Sequence, residues 1–201
     1  MVDPHPLFDL SGRVALVSGA AQGVGRAMSL AFAEVGADLM LADLNEDGAR
    51  QTAREIESMG RRAIPVRCDV SEPEQIRSMF ARLDSEFGRI DVLANVAGGE
   101  VSLGPPEDAD LDTVGASMQS LVIGRFCCCQ EAGRRMLAAG KGSIINIVSI
   151  AGVTALGRGH TPYSMAMGGV AQMIRELSTE WASRGVRVNS IVLAQVLNPM
   201  L

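Results

Sequence analysis

Short runs of apolar, often β-branched residues alternate along this chain with longer stretches in which apolar positions recur every three or four residues. The short runs predict strands over residues 13–18, 38–43, 63–67, 90–95, 142–149 and 186–193. The longer stretches predict helices over 24–35, 46–59, 72–87, 111–139 and 162–183. Strand and helix in turn imply parallel strands joined by right-handed crossovers, hence an α/β fold: a doubly wound parallel sheet between two helical layers. The runs carry few charges, so each strand is expected to be covered on both faces. No repeat, linker or low-complexity tract divides the sequence, and 201 residues suit one domain spanning 1–201.

Composition narrows the partners. The chain is 47% hydrophobic, with a net charge of −5 and basic residues scattered rather than clustered, which argues against a nucleic-acid footprint and for a small-molecule partner. No apolar stretch has the length and lack of charge of a membrane span. Residues 1–10 hold two aspartates and two prolines rather than the charged-then-apolar order of a signal peptide, so a cytoplasmic location is expected. Cys68 stands alone and Cys127, Cys128 and Cys129 are consecutive, a spacing that suits no metal; reduced, buried thiols are expected, with a redox sensor as the weaker alternative.

The first strand runs into Ser18-Gly19-Ala20-Ala21-Gln22-Gly23-Val24-Gly25 and then a helix. In that context Gly19 permits a turn, Gly23 lets backbone approach a pyrophosphate, and Gly25 lets the helix pack on the strand with its N-terminus facing negative charge. A plain glycine-rich turn is the competing reading. Asp43 ends the second strand, where a carboxylate accepts hydrogen bonds from adenosine ribose hydroxyls and repels a 2′-phosphate. No arginine follows Asp43 and Gln22 occupies the loop where a base would favour NADP, so NAD is the expected cofactor. Segments 99–108 and 150–161 lie at the carboxyl edge of the predicted sheet and are candidate pocket walls.

With those residues placed, the chain resembles a classical short-chain dehydrogenase/reductase over nearly its whole length. The glycine run resembles the family's T-G-x-x-x-G-x-G, with Ser18 for threonine. Asp69-Val70 resembles the pair that holds the adenine, and Asn95-Val96-Ala97-Gly98 resembles N-N-A-G with its second asparagine changed. Ser149 and Tyr163 fall at the family's catalytic serine and tyrosine, and Arg187-Val188-Asn189-Ser190 resembles the start of its next strand. The resemblance implies a Rossmann-like domain holding NAD through Gly19, Gln22, Gly23, Val24, Gly25, Asp43, Asp69, Val70, Asn95, Ala97, Gly98 and Tyr163. It further implies hydride transfer between the nicotinamide and a secondary alcohol or ketone, Ser149 orienting the oxygen and Tyr163 exchanging the proton, in a homodimer or homotetramer paired through its long helices.

The pattern also breaks. Met167 stands where the family has the lysine that tunes the tyrosine and holds the nicotinamide ribose, and Leu121 stands where it has an asparagine of the proton relay. An unassisted phenol ionises near pH 10, leaving about one part in a thousand as base at neutral pH, so slow turnover is expected and Met167→Lys is expected to raise it. Lys141, the sole lysine, precedes the fifth strand at the far end from Ser149; Arg158 is a conceivable substitute cation but reads first as an exposed loop residue. Leu193-Ala194 replaces the family's Pro-Gly pair and Asn198 its threonine, although Asn198-Pro199-Met200 keeps the outline. The sequence ends at Leu201, before the family's seventh strand and substrate-covering helices, which leaves the sixth strand as an expected exposed edge. A catalytically silent nucleotide-binding module is the main alternative, and a non-redox lyase or epimerase a weaker one.

Overall fold

The computed structural model describes residues 6–98 and 103–196. Six parallel strands, β1 (Val14–Ser18), β2 (Asp38–Asp43), β3 (Ala63–Arg67), β4 (Val92–Asn95), β5 (Gly142–Ser149) and β6 (Val186–Leu193), lie in the order β3-β2-β1-β4-β5-β6. Helices α1 (Gly23–Glu34), α2 (Glu46–Ser58), α3 (Pro73–Phe87), α4 (Leu111–Met118), α5 (Gly124–Ala138) and α6 (Thr161–Trp181) fill the crossovers. The strand order reverses between β1 and β4, and that switch point is where an open α/β sheet leaves a crevice.

Side-chain alternation divides the core into two. On one face Ala15, Val17, Leu39 and Leu41 pack with Ala33, Ala49 and Ile56 from α1 and α2. On the other, Leu16, Met40, Leu93 and Ile144 meet Phe80, Met136 and Val170 from α3, α5 and α6. Successive strand residues point to opposite faces, so one uninterrupted apolar run serves both layers.

Three differences from the sequence expectation bear on the site, beside shifts of one or two residues at several helix ends. The first strand begins at Val14 rather than Arg13. The fourth begins at Val92 because the buried Asp91 serves as an anchor ahead of it, accepting from the Val14 N–H at 3.0 Å and from Arg89 and Arg13. The helix expected over 111–139 is interrupted by one π turn, Gln119–Ile123, between α4 and α5. Gly124 follows this turn, and a Cβ there would overlap the Val70 carbonyl oxygen. Strand β6, the expected edge, is covered only at its start: Val186 and Val188 are buried, but Ile191 and Val192 are 47% and 45% exposed.

Candidate active site

The turn from β1 into α1 is pressed against the end of β4. Gly19 has φ +79° and a Cβ on it would lie 2.8 Å from the Ala97 nitrogen; a Cβ on Gly25 would overlap the Gly19 carbonyl oxygen. Only glycine meets both conditions, and the result is a cradle of backbone at the N-terminus of α1. The buried Ser18 secures it, its carbonyl accepting from the Ala97 N–H at 3.0 Å and its hydroxyl receiving the Val96 N–H at 3.2 Å.

Asp43, at the end of β2, is tied to this turn. Its Oδ2 accepts from the Ala21 N–H and its Oδ1 from the Asn45 N–H, both at 2.9 Å. Each oxygen has a second lone pair left, and the carboxylate is only half-buried, so it can accept from hydroxyls above the edge. Gln22 is exposed at the N-cap of α1 without a side-chain capping bond, and Gly23 and Val24 open the helix.

Asp69 and Val70 follow β3 on the same edge. Asp69 Oδ1 accepts from the Ser71 N–H and hydroxyl at 2.8 and 2.7 Å, and Gln119 on the π turn donates to the Ser71 carbonyl at 2.9 Å. The interruption between α4 and α5 thereby holds the 69–71 loop in place. Asn95, buried at the end of β4 and in register with Asn146 on β5, donates to Asn146 Oδ1 at 3.0 Å and to Cys129 Sγ at 3.4 Å. Gly98 is exposed just beyond Ala97.

Ser149 ends β5, its hydroxyl accepting from the Ala151 N–H at 3.1 Å. The turn Ile150–Gly152 that follows lies on α6, since a Cβ on Gly152 would come within 2.6 Å of the Met167 backbone. Tyr163 is half-buried in the first turn of α6, its ring centroid 6.1 Å from that of His160, whose Nδ1 lies 3.3 Å from the Ser164 hydroxyl. The expected residues of both sets therefore converge on one edge of the sheet: the cradle, Asp43 and Asp69 on one side of the switch point, Ser149 and Tyr163 on the other. Within the first candidate wall, residues 103–108 are exposed, whereas 99–102 lie outside the described residues, as does Asn198-Pro199-Met200.

Met167 is 1% exposed and packs in the core, and Leu121 is fully buried in the π turn. Lys141 is exposed before β5, at the opposite end, and Arg158 is exposed in the loop. The four cysteines are unpaired and buried. Burial pushes the Cys68 thiol up to about 11 and Cys129 up to about 12, which removes the thiolate that a redox sensor needs.

Sequence reading missed Arg125. The side chain is buried, its two terminal nitrogens donating to the carbonyls of Ile147 and Ala97, the latter at 3.1 Å, while its Nε has no partner. Burial pushes its guanidinium below the ordinary arginine range, and the Tyr163, Cys129 and Cys128 side chains act the other way. The available signal was a charge inside a run that is otherwise apolar, from Leu121 to Cys129.

This fold and edge define a dinucleotide-type α/β domain, and comparison with known proteins makes the class definite. The sequence pattern of the short chain dehydrogenase family matches residues 13–201, and the chain belongs to that family. Short chain dehydrogenases use nicotinamide cofactors. A D-threitol dehydrogenase of Mycolicibacterium smegmatis is 38% identical over 193 residues, 96% of this chain and 74% of that protein. An NAD-dependent glycerol dehydrogenase of Listeria innocua is 33% identical over 193 residues, with the same shares of 96% and 74%. A crystal structure of a short-chain type dehydrogenase/reductase from Mycobacterium marinum is similar with a TM-score of 0.88 at 34% identity, covering 92% of this chain and 76% of that one.

Proposed function

We propose that this protein is an NAD-dependent oxidoreductase that interconverts a secondary alcohol and its ketone, with a proton relay altered at positions 121 and 167. The observation that carries the cofactor is the Asp43 carboxylate, fastened to the glycine turn through the Ala21 N–H and keeping lone pairs for ribose hydroxyls. The turn fits the group: Gly19 and Gly25, where a Cβ would meet the Ala97 nitrogen and the Gly19 carbonyl oxygen, keep the backbone tight at the N-terminus of α1, where a pyrophosphate would be held. Gln22, Gly23 and Val24 complete that turn, Asp69 and Val70 would hold the adenine, and Asn95, Ala97 and Gly98 would hold the nicotinamide side. When bound, the nicotinamide accepts or supplies the hydride.

The chain's own residues handle the oxygen and the proton. Ser149 holds the substrate oxygen from the end of β5, and Tyr163 takes the hydroxyl proton during oxidation or returns it during ketone reduction. In the reductive direction a neutral phenol is already the acid required, so turnover survives loss of the lysine and falls by a part of the roughly 10²–10⁴ that acid–base assistance supplies. The substrate is a small polyol, in keeping with relatives named for D-threitol and glycerol.

The reading includes one cytoplasmic domain that assembles as a homodimer or homotetramer. Four unpaired thiols suit a reducing compartment. Phe126 at 41%, Ile123 at 47% and Met165 at 53% exposure give the faces of α5, the π turn and α6 the apolar contacts such pairing requires. Calorimetry should show NAD binding more tightly than NADP, and NADH oxidation should appear with a panel of small ketones and vanish in Tyr163→Phe. Coenzyme binding without turnover of any substrate selects instead the silent binding module, which the core placement of Met167 and Leu121 favours.

A further inference from the structure

The ladder between β4 and β5 stops at the pair Asn95 and Asn146, while β5 runs on to Ser149 paired with β6. Beyond that stop no backbone pairing joins the two strand ends. Arg125, in the first turn of α5, crosses the gap instead: one terminal nitrogen donates to the Ala97 carbonyl at 3.1 Å and the other to the Ile147 carbonyl. A planar guanidinium suits the task, since it carries its donors in a fixed fork. The side chain is 5% exposed, and no carboxylate pairs with it among the described residues. A buried charge without a counter-ion is no asset to stability, because a well-packed apolar side chain fills such a place as well or better. What the arginine adds is the bridge.

The Ala97 end of this bridge is held from the other side as well. Its N–H donates to the Ser18 carbonyl at 3.0 Å, and the Val96 N–H reaches the Ser18 hydroxyl at 3.2 Å. Gly19, on which a Cβ would stand 2.8 Å from the Ala97 nitrogen, closes the glycine turn against the same peptide. A line of direct contacts thus runs from Gly19 through Ala97 and Arg125 to Ile147, two residues before Ser149. We propose that Arg125 is a positioning residue: by bridging the ends of β4 and β5 it fixes the nicotinamide side of the coenzyme site against Ser149, and so sets the alignment of coenzyme and substrate oxygen. The proposal rests on the reading of this edge as an NAD site.

Neighbouring bonds do not duplicate the bridge. Asn95 donates to Asn146 Oδ1 at 3.0 Å, but both side chains are buried and belong to the last ladder pair, below the gap. The Ser149 hydroxyl is engaged with its own turn through the Ala151 N–H. The adenosine side is independent of Arg125: Asp43 and Asp69 follow β2 and β3 and are fixed by the Ala21, Asn45 and Ser71 N–H groups. Loss of the bridge should therefore divide coenzyme binding in two. The adenosine half keeps its contacts, and the nicotinamide half loses its place.

Calorimetry on the native protein, Arg125→Met and Arg125→Lys compares NAD with ADP-ribose, which lacks the nicotinamide, and circular dichroism checks the fold. In Arg125→Met NAD should bind about tenfold more weakly while ADP-ribose stays within about twofold of native, since only the strand-end hydrogen bonds are lost. Arg125→Lys, which offers a donor but no fork, should fall between the two. A loss shared equally by both ligands, or by neither, overturns the proposal. Should Arg125→Met not fold, Arg125→Lys decides: native affinity for NAD overturns the proposal, and selective weakening of NAD upholds it. With a ketone that the native protein reduces, kcat at saturating NADH should fall by about 10² in Arg125→Met, as misalignment at the reacting centre predicts. A native protein that binds neither ligand sinks the coenzyme reading itself. One that binds both, with variants that bind them equally well, sinks only the role of Arg125.

Discussion

Putting back the lysine at position 167 looks from the sequence like a repair, and the structure turns it into a conflict. Met167 is 1% exposed and its helix turn is pressed on Gly152, so the ammonium of Met167→Lys cannot simply reach water. It would enter the apolar core that Met167 shares with Leu121, Ala166 and Val170. Taking an ammonium out of water without a partner costs several kcal/mol. Met167→Lys is therefore expected to lose about 4 kcal/mol of stability in urea denaturation at neutral pH. Met167→Leu, which keeps the volume and adds no charge, should cost less than about 1.5 kcal/mol. Burial of the amine favours its neutral form, so the loss in Met167→Lys should shrink as pH rises toward the ordinary lysine value near 10.4. A loss below about 1 kcal/mol that does not change with pH would show that the ammonium reaches water, and the argument for a conflict fails.

Asp43→Ala should weaken NAD binding about tenfold and reduce the preference over NADP, by loss of ribose hydrogen bonds and of the charge that repels a 2′-phosphate; calorimetry with both coenzymes checks it. Gly19→Ala should cost about 1–3 kcal/mol and abolish coenzyme binding, because φ is +79° and the new Cβ meets the Ala97 nitrogen at 2.8 Å. Asp91→Ala should cost about 2 kcal/mol, a figure already reduced because Arg13 and Arg89 are 44% and 42% exposed. Burial alone would raise the Asp91 carboxyl, but hydrogen bonds from Arg89, the Val14 N–H and Arg13 outweigh it and hold it below the ordinary aspartate range. Its contribution is thus complete above the unfolded value near 3.9 and fades as pH falls through the lower folded value; acid titration of stability in the native protein and Asp91→Asn should diverge only above that window. Ser149→Ala should lower turnover by about 10² with coenzyme affinity unchanged, as measured by steady-state kinetics beside calorimetry.

Much of this was legible in the chain itself, because the signals involved are local. Strand β5 was predicted at its observed bounds since eight neighbouring residues carry the pattern, and the glycine turn was readable because its demands on φ and on Cβ space fall within a few residues of one another. Position 167 was legible for the same reason: one helical turn links it to Tyr163. Asp91 illustrates the limit. It was read as part of a strand, while its actual task depends on the Val14 N–H, 77 residues away in sequence.

The sequence by itself determined the layered α/β architecture, the glycine turn after the first strand and the places of Ser149 and Tyr163 at a strand end and a helix start, since hydrophobic period and turn chemistry need only nearest neighbours. Only the folded chain decided that an arginine is buried beneath two strand ends. Arg125 reaches carbonyls 28 and 22 residues distant in sequence, on two different strand ends, and burial there depends on packing from α5, β4 and β5 together. No periodicity in one segment encodes the electrostatic surroundings that three segments create when they meet.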